Sequence, residues 1–220
     1  MDKDKKTQWS YDPVANIYEK IAYIYSFGLI KKAKLSQLSE IRSKDKVLYV
    51  GVGSGEDAVC AAMAGADITC IDISQKMIDR TKKRFSKHNL KADFVCDDVT
   101  KYNVDNYDVV IANFFLNNFT QNTMQLMLSH LARLVKPGGK LLIADFKSPS
   151  GSKLSRLLQA FNFRVAVFFF WALGVAPLHE MLDYKQHFKN NGLVVENIKS
   201  FKFLSLGPIL YESITATKTI

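Results

Sequence analysis

Residues 46–72 read KVLYVGVGSGEDAVCAAMAGADITCID. The first residues are a short apolar run that stops at glycine, the pattern of a strand buried on both faces. Gly51, Gly53 and Gly55 then recur at every second position. Residues 55–64 are alanine-rich and fit a helix, and Asp67 to Asp72 form a second apolar run. Strand, glycine turn, helix, strand is a βαβ unit. Glycines in such a turn let the backbone bend tightly and let a ligand approach it closely. The amides that open the following helix face that ligand.

The same alternation continues outward. Residues 74–88 form a basic helix with Ser74 as its cap. Ala92 to Cys96 is a third strand and Tyr107 to Asn113 a fourth. Residues 121–135 form an amphipathic helix through Met124, Leu128, Leu131 and Val135. Lys136-Pro137-Gly138-Gly139 breaks it, and Lys140 to Phe146 is a fifth strand. Upstream, residues 10–40 read as helical through Ile17, Tyr18, Ile21, Ile24 and Tyr25, with Ser10 or Asp12 as cap and Pro13 in the first turn. Downstream, residues 152–173 predict one long helix with Leu154, Leu157, Leu158, Phe161, Val165 and Phe168 on one side. A short helix near 180–191 stops at Asn191-Gly192. Two strands, 193–200 and 209–218, flank Gly207-Pro208, where no helix fits, so they predict an antiparallel hairpin at the sheet edge. The expected fold is α/β: a Rossmann-like, doubly wound and mostly parallel sheet in one domain. Residues 1–43 form an N-terminal helical cap, 44–146 a cofactor-binding core, 147–191 a helical insertion or lid, and 192–220 the C-terminal hairpin.

Composition narrows the class. Among 220 residues, 48% are hydrophobic and 23% charged, which argues against a disordered or collagen-like chain. The net charge of +9 draws the protein toward anionic partners. Lys76, Arg80, Lys82, Lys83, Arg84, Lys87 and Lys91 crowd one stretch, which reads as a solvated helix face or as a face leaning on a membrane surface. Cys60, Cys70 and Cys96 read as small buried hydrophobes in a reducing compartment, and no cluster of ligating residues predicts a metal. No apolar run follows the charged N-terminus, so no signal peptide is visible. The most apolar segment, Val165 to Leu178, is shorter than the ~20 residues a spanning helix needs. A cytoplasmic protein is expected, with peripheral contact on the cytoplasmic face of a membrane left open. No interleaved aromatic platform or RNA module accompanies the charge, which argues against a nucleic-acid partner. The sequence leaves the oligomeric state open.

Two ligand classes compete for the glycine turn. Gly53-x-Gly55-x-x-Ala58 formally fits a dinucleotide loop. S-adenosylmethionine has no pyrophosphate, and the loop that holds it carries glycines at alternate positions, as at 51, 53 and 55. Asp72, 17 residues after Gly55, can bridge both ribose hydroxyls. Asp98, after the third strand, can accept from the adenine amino group. The Lys-Pro-Gly-Gly turn and the closing hairpin are not features of dinucleotide folds.

On Gly51-x-Gly53-x-Gly55, Asp72-Ile73-Ser74 with Met77, Asp98, Tyr107-Asp108-Val109-Val110 and Lys136-Pro137-Gly138-Gly139, the chain resembles class I S-adenosylmethionine-dependent methyltransferases over about residues 44–146. Within them it is similar to ubiquinone/menaquinone C-methyltransferases and to phospholipid N-methyltransferases. Val14-Ala15-x-x-Tyr18, Ser26-Phe27-Gly28 and Asp145-Phe146-Lys147-Ser148-Pro149 carry the quinone-enzyme likeness. The resemblance implies strand order 3-2-1-4-5-7-6 and S-adenosylmethionine as cofactor. It places Tyr49, Gly51, Gly53, Gly55, Asp72, Ile73, Met77, Asp98, Val99, Asn113 and Phe114 around that cofactor, with no metal. The implied chemistry is in-line methyl transfer, in which alignment and exclusion of water do most of the work.

Two positions depart from the family. Tyr49 stands where an acidic residue usually helps hold the methionine end, a task Glu56 or Asp57 could take over. Asn117 stands where similar quinone enzymes carry arginine. Candidate general bases are Tyr18, His179 and Tyr184, in segments expected to cover the pocket, whereas His130 and His187 read as surface or packing residues. Asn113-Phe114-Phe115-Leu116 lacks the prolines of amine-methylating Asn-Pro-Pro-Tyr motifs, which argues against a base in nucleic acid as acceptor. The run Phe168-Phe169-Phe170-Trp171 reads equally as core under a lid or as an apolar channel or membrane-leaning edge. The expected acceptor is a quinol, a phenol or a lipid-like molecule. The alternatives are a binding module, another modification that uses the cofactor, and an NAD-dependent oxidoreductase.

Overall fold

Helix, strand and loop follow one another in a computed structural model that describes residues 18–172, 181, 183–203 and 207–219. The chain begins with α1 (Tyr18–Ser26) and α2 (Leu29–Leu35). Seven strands then build a single sheet: β1 (Lys46–Val50), β2 (Asp67–Asp72), β3 (Asp93–Cys96), β4 (Tyr107–Ile111), β5 (Val135–Phe146), β6 (Leu193–Lys202) and β7 (Ile209–Lys218). Four more helices accompany them: α3 (Glu56–Met63), α4 (Gln75–Lys87), α5 (Gln121–Leu134) and α6 (Lys153–Ala172).

The spatial order is β3-β2-β1-β4-β5-β7-β6, as expected. The first five strands run parallel, and β7 lies antiparallel between β5 and β6. Strands β1 and β4 sit at the centre, and their Val47, Leu48, Val109 and Val110 are almost wholly buried. Alternate residues serve two cores. Leu48, Val110, Leu141 and Ile143 face α5, while Val47, Val109 and Leu142 face the layer containing α3 and α4.

Some elements differ from the sequence reading. The N-terminal helical stretch is not continuous. Phe27 and Gly28 both have positive φ (51° and 76°), which breaks it into α1 and α2. Strand β5 begins at Val135, so the Lys-Pro-Gly-Gly turn lies inside the strand, with a register shift against β4. Between 185 and 191 the expected helix is two short 3₁₀ turns. The start of that helix, His179, the caps at Ser10 and Asp12, and Val14-Ala15 lie outside the described residues. Cys70 is buried as expected, but Cys60 is half-buried and Cys96 exposed. Cys96 belongs to the edge strand β3, which offers cover on one side only.

The sequence left open which way the apolar side of α6 points. Its span agrees with expectation, and Leu154, Leu157, Leu158, Phe161, Val165 and Phe168 form the outward face, at 38–67% exposure. The inward face is Gln159, Phe163, Ala166 and Val167. The basic stretch around α4 is a solvated face: Lys76, Lys82, Lys83, Lys87 and Lys91 are exposed, while Met77, Ile78, Thr81 and Phe85 pack inward. Among the described residues, no helix is long and apolar enough to cross a membrane.

Candidate active site

Parallel strands end together at the carboxyl edge of the sheet, where open α/β folds bind ligands. Here β1 delivers the glycine loop. Gly51, Gly53 and Gly55 have φ of 59°, 58° and 70°, in the left-handed region that glycine tolerates. A Cβ on Gly51 would come within 2.7 Å of the Phe115 ring, and one on Gly55 within 2.5 Å of Thr81. A Cβ on Gly53 would meet only the Gly51 carbonyl oxygen, at 4.0 Å, so the backbone at Gly53 borders open space. Thr81 is fully buried, and its hydroxyl donates to the Gly53 carbonyl at 2.9 Å, holding the loop against α4.

Position 55 is therefore tested by a single methyl group. Gly55→Ala combines left-handed strain with a clash against a packed, β-branched side chain. We expect a cost of about 2–4 kcal/mol, seen as a thermal midpoint lowered by roughly 10 °C. Gly138→Ala, at φ 73° with nothing near its Cβ, should cost only the strain, about 1 kcal/mol.

Asp72 ends β2 and is half-buried. Its two carboxylate oxygens accept from the Gly53 amide at 2.9 Å and the Ser74 amide at 2.9 Å. It thus ties the glycine loop to the β2–α4 turn. Ser74 caps α4 by accepting from Met77 N at 3.1 Å. Ile73, between these two, stays 46% exposed. Asp98 is half-buried and accepts from Thr100 N at 2.9 Å. A carboxylate, an uncovered aliphatic side chain, a second carboxylate and an open glycine backbone suit an adenosine: hydroxyls to Asp72, the base against Ile73, its amino group toward Asp98. Met77 and Val99 are buried, and Val99 packs in the same core as Val50 and Ile71.

The methionine end is arranged differently from the usual pattern. Tyr49 is 3% exposed, and its hydroxyl donates to the Asp57 carbonyl at 3.2 Å. Burial, with Asp57 nearby, raises its pKa well above the ordinary phenol value, so it stays neutral. Glu56 and Asp57 open α3, and both bond to α2: Glu56 pairs with Lys31 at 2.5 Å and Asp57 with Lys34 at 2.8 Å. Asn113 joins the same network. Its amide donates to Asp57 Oδ2 and to Gln37, and its carbonyl oxygen accepts from Gln37 and from Ala144 N. The Asn113 side chain is therefore a brace between β4, β5, α3 and the N-terminal helices, with its hydrogen-bonding capacity already engaged.

Beside it, Phe114 has φ 53°, an unusual conformation for an aromatic residue. It turns its ring edge-on to Phe146 (5.7 Å) and Tyr211 (5.9 Å). Phe146 in turn meets Phe163 from α6 edge-on, at 5.2 Å. This aromatic group holds one polar handle. Tyr25 donates from its hydroxyl to Asn162 Oδ1 at 2.7 Å, and Asn162 donates to the Tyr211 hydroxyl at 3.5 Å. Burial raises the pKa of both tyrosines, that of Tyr211 to about 12, so both remain phenols near neutrality. From the sequence, Tyr25 has only a place on a helix face. Its meeting with Tyr211 through α6 has no local signal.

The three candidate bases fare unequally. His179 and the Tyr18 side chain lie outside the described residues. Tyr184 is 2% exposed, and its hydroxyl has no hydrogen-bond partner. Burial, with Asp145 and Glu212 nearby, pushes its pKa well up, so it can donate a hydrogen bond but does not take up a proton near neutral pH. The sequence reading missed Asp145 and Glu212 as a pair. They lie opposite each other on β5 and β7, at 0% and 1% exposure, on the α5 side of the sheet. Lys147 and Lys185 pair with Glu212. Asp145 keeps Oδ2 without a partner, and burial raises its pKa to about 7.

A family model described as a methyltransferase domain matches residues 47–139, the segment that carries the glycine loop, Asp72, Asp98 and Asn113. Residues 47–139 thus carry a methyltransferase domain, and the chain is similar to class I S-adenosylmethionine-dependent methyltransferases. S-adenosylmethionine is the cofactor of this methyltransferase, and when bound it supplies an electrophilic methyl group on a sulfonium. The methyltransferase is 26% identical over 144 residues to a demethylmenaquinone methyltransferase of Clavibacter sepedonicus, covering 63% of this chain and 57% of that one. It is 27% identical over 180 residues to a ubiquinone/menaquinone biosynthesis C-methyltransferase of Francisella philomiragia, covering 76% and 70%. The chain thus spans 57% and 70% of the length of these two relatives. In fold it is similar to 1,6-didemethyltoxoflavin-N1-methyltransferase of Burkholderia thailandensis, with a TM-score of 0.69 at 15% identity, covering 95% of this chain and 86% of that one.

Proposed function

We propose that the acceptor of this methyltransferase is a small apolar molecule with a ring hydroxyl, of the quinol, phenol or lipid-like class. The observation that carries this is the aromatic group at the ends of β4 and β5, where Phe114, Phe146 and Phe163 surround the Tyr25–Asn162–Tyr211 handle. Apolar walls with a few fixed polar groups are what orient such a ligand. The names of the curated relatives point the same way. In this reading the glycine loop and Asp72 place the cofactor, and the aromatic group excludes water and aligns the acceptor for in-line attack. The two phenols donate or accept hydrogen bonds to the acceptor oxygen. An acidic phenol or quinol needs little help in losing its proton.

The test is transfer of labelled methyl from S-adenosylmethionine to a panel of hydroquinones, phenols and primary amines. Transfer to a hydroquinone or phenol is expected. In Phe146→Ala we expect kcat/KM to fall at least roughly tenfold with a smaller loss of cofactor affinity, because Phe146 packs on Phe163 and Tyr211 as well as on Phe114. Transfer to amines alone would overturn the proposal.

A further inference from the structure

The helix that roofs the aromatic group is amphipathic in the unusual sense. Its polar Gln159 is buried, accepting from Ser150 N and donating to the Ile209 carbonyl, while its large apolar residues face outward. Leu154, Leu157, Phe161 and Phe168 are 60–67% exposed and recur at helical spacing along one side, with Trp171 following at 44%. Soluble monomers rarely leave so continuous an apolar strip uncovered. The helix is held in this orientation. Phe163 is packed against Phe146, and Asn162 accepts from Tyr25. That bond also ties α6 to α1.

Charge identifies what covers the strip. Over Lys153–Ala172 the sequence has Lys153, Arg156 and Arg164, all exposed, and no acidic residue. Lys153 and Arg164 flank the apolar side at helical spacing. The helix therefore combines an outward apolar face with a cationic margin, the arrangement of a segment that lies in the plane of a lipid interface. Helix α4 is more basic but has no such apolar face: its Met77, Ile78 and Phe85 are buried. No described helix is apolar enough to span a bilayer, which leaves lying on it.

We infer that the outer face of α6 docks this enzyme on an anionic lipid surface. Docking in this way sets the Phe114–Phe146 end of the sheet beside the bilayer, under the anchored helix. The inference does not depend on which acceptor is methylated.

The experiment is sedimentation of the full chain with vesicles of phosphatidylcholine alone or mixed equally with phosphatidylglycerol. The fluorescence of Trp171 is followed in a Trp9→Phe background. Binding to the mixed vesicles at least roughly tenfold tighter than to phosphatidylcholine, weakened by salt, is expected from the margin cations Lys153 and Arg164. The Trp171 emission should shift to the blue. The double variant Leu157→Glu, Phe168→Glu should lose at least roughly tenfold in binding while keeping its S-adenosylmethionine affinity, which shows that it is folded. Lys76→Glu with Lys83→Glu, on α4, should leave binding within about twofold. Three results would overturn the proposal: no binding to the mixed vesicles, equal loss in the α4 variant, or a dimer that the α6 variant dissociates without any vesicle binding.

Discussion

Calorimetry on Asp72→Ala should show S-adenosylmethionine affinity lowered by at least about 100-fold. A carboxylate that accepts from two ribose hydroxyls loses two charge-assisted hydrogen bonds, each worth about 1.5–3 kcal/mol, and about 3 kcal/mol is more than a hundredfold. The same substitution also removes the acceptor for the Gly53 and Ser74 amides, so the glycine loop loses its link to β2. Asp72→Asn separates the two effects. It keeps an acceptor for one backbone amide and loses the charge, so its affinity should lie between wild type and alanine. A urea midpoint measured without cofactor reads the structural share. Unchanged affinity in Asp72→Ala would remove the ribose role outright.

The second large effect is a dependence of stability on pH, and it comes from Asp145. Its carboxyl is fully buried, with Glu212 opposite, Tyr184 nearby and Lys147 and Lys185 turned to Glu212. Burial raises its pKa to about 7 in the folded chain, against about 3.9 when unfolded. Between these values the folded state holds a proton that the unfolded state has released, so stability falls as pH rises from about 4 through about 7, and then levels off. Some three units at about 1.4 kcal/mol each give a loss on the order of 4 kcal/mol. Asp145→Asn, which keeps the shape and cannot ionise, should flatten this part of the profile and be the more stable chain at pH 8. Denaturant midpoints at a series of pH values check both statements, and a profile that rises over the same range would contradict them.

Much of the fold was legible because its signals are local. The strands of the parallel core are buried on both sides, so each appears as a short apolar run, and Gly207-Pro208 leaves room for nothing but a hairpin. Asp72 and the glycine loop were legible for the same reason, since they flank one βαβ unit. Three things were not. The break at Phe27 depends on a positive φ in a residue that seldom adopts one. The periodicity of α6 revealed that the helix has an apolar face but not which way it points, which depends on what packs behind it. The Tyr25–Asn162–Tyr211 handle joins residues 137 and 49 positions apart, with no spacing rule between them. Tyr49 is an intermediate case. The sequence marks it as a departure, and the structure shows what its hydroxyl does: it donates to the Asp57 carbonyl in the first turn of α3.

The position of β7 constrains the order in which the protein can be made. Tyr211, Ile214 and Ala216 are wholly buried, and β7 is the only bridge between β5 and β6 among the described strands. During synthesis β6 leaves the ribosome before the strand it must pair with, and β5 waits with one edge open until residue 218 has emerged. The nucleotide-binding half can assemble while translation continues, but the edge of β5 stays a site for pairing with the wrong chain until the last strand slides between its two neighbours. A pause before β7 emerges, or a stop ahead of it, should therefore favour aggregation.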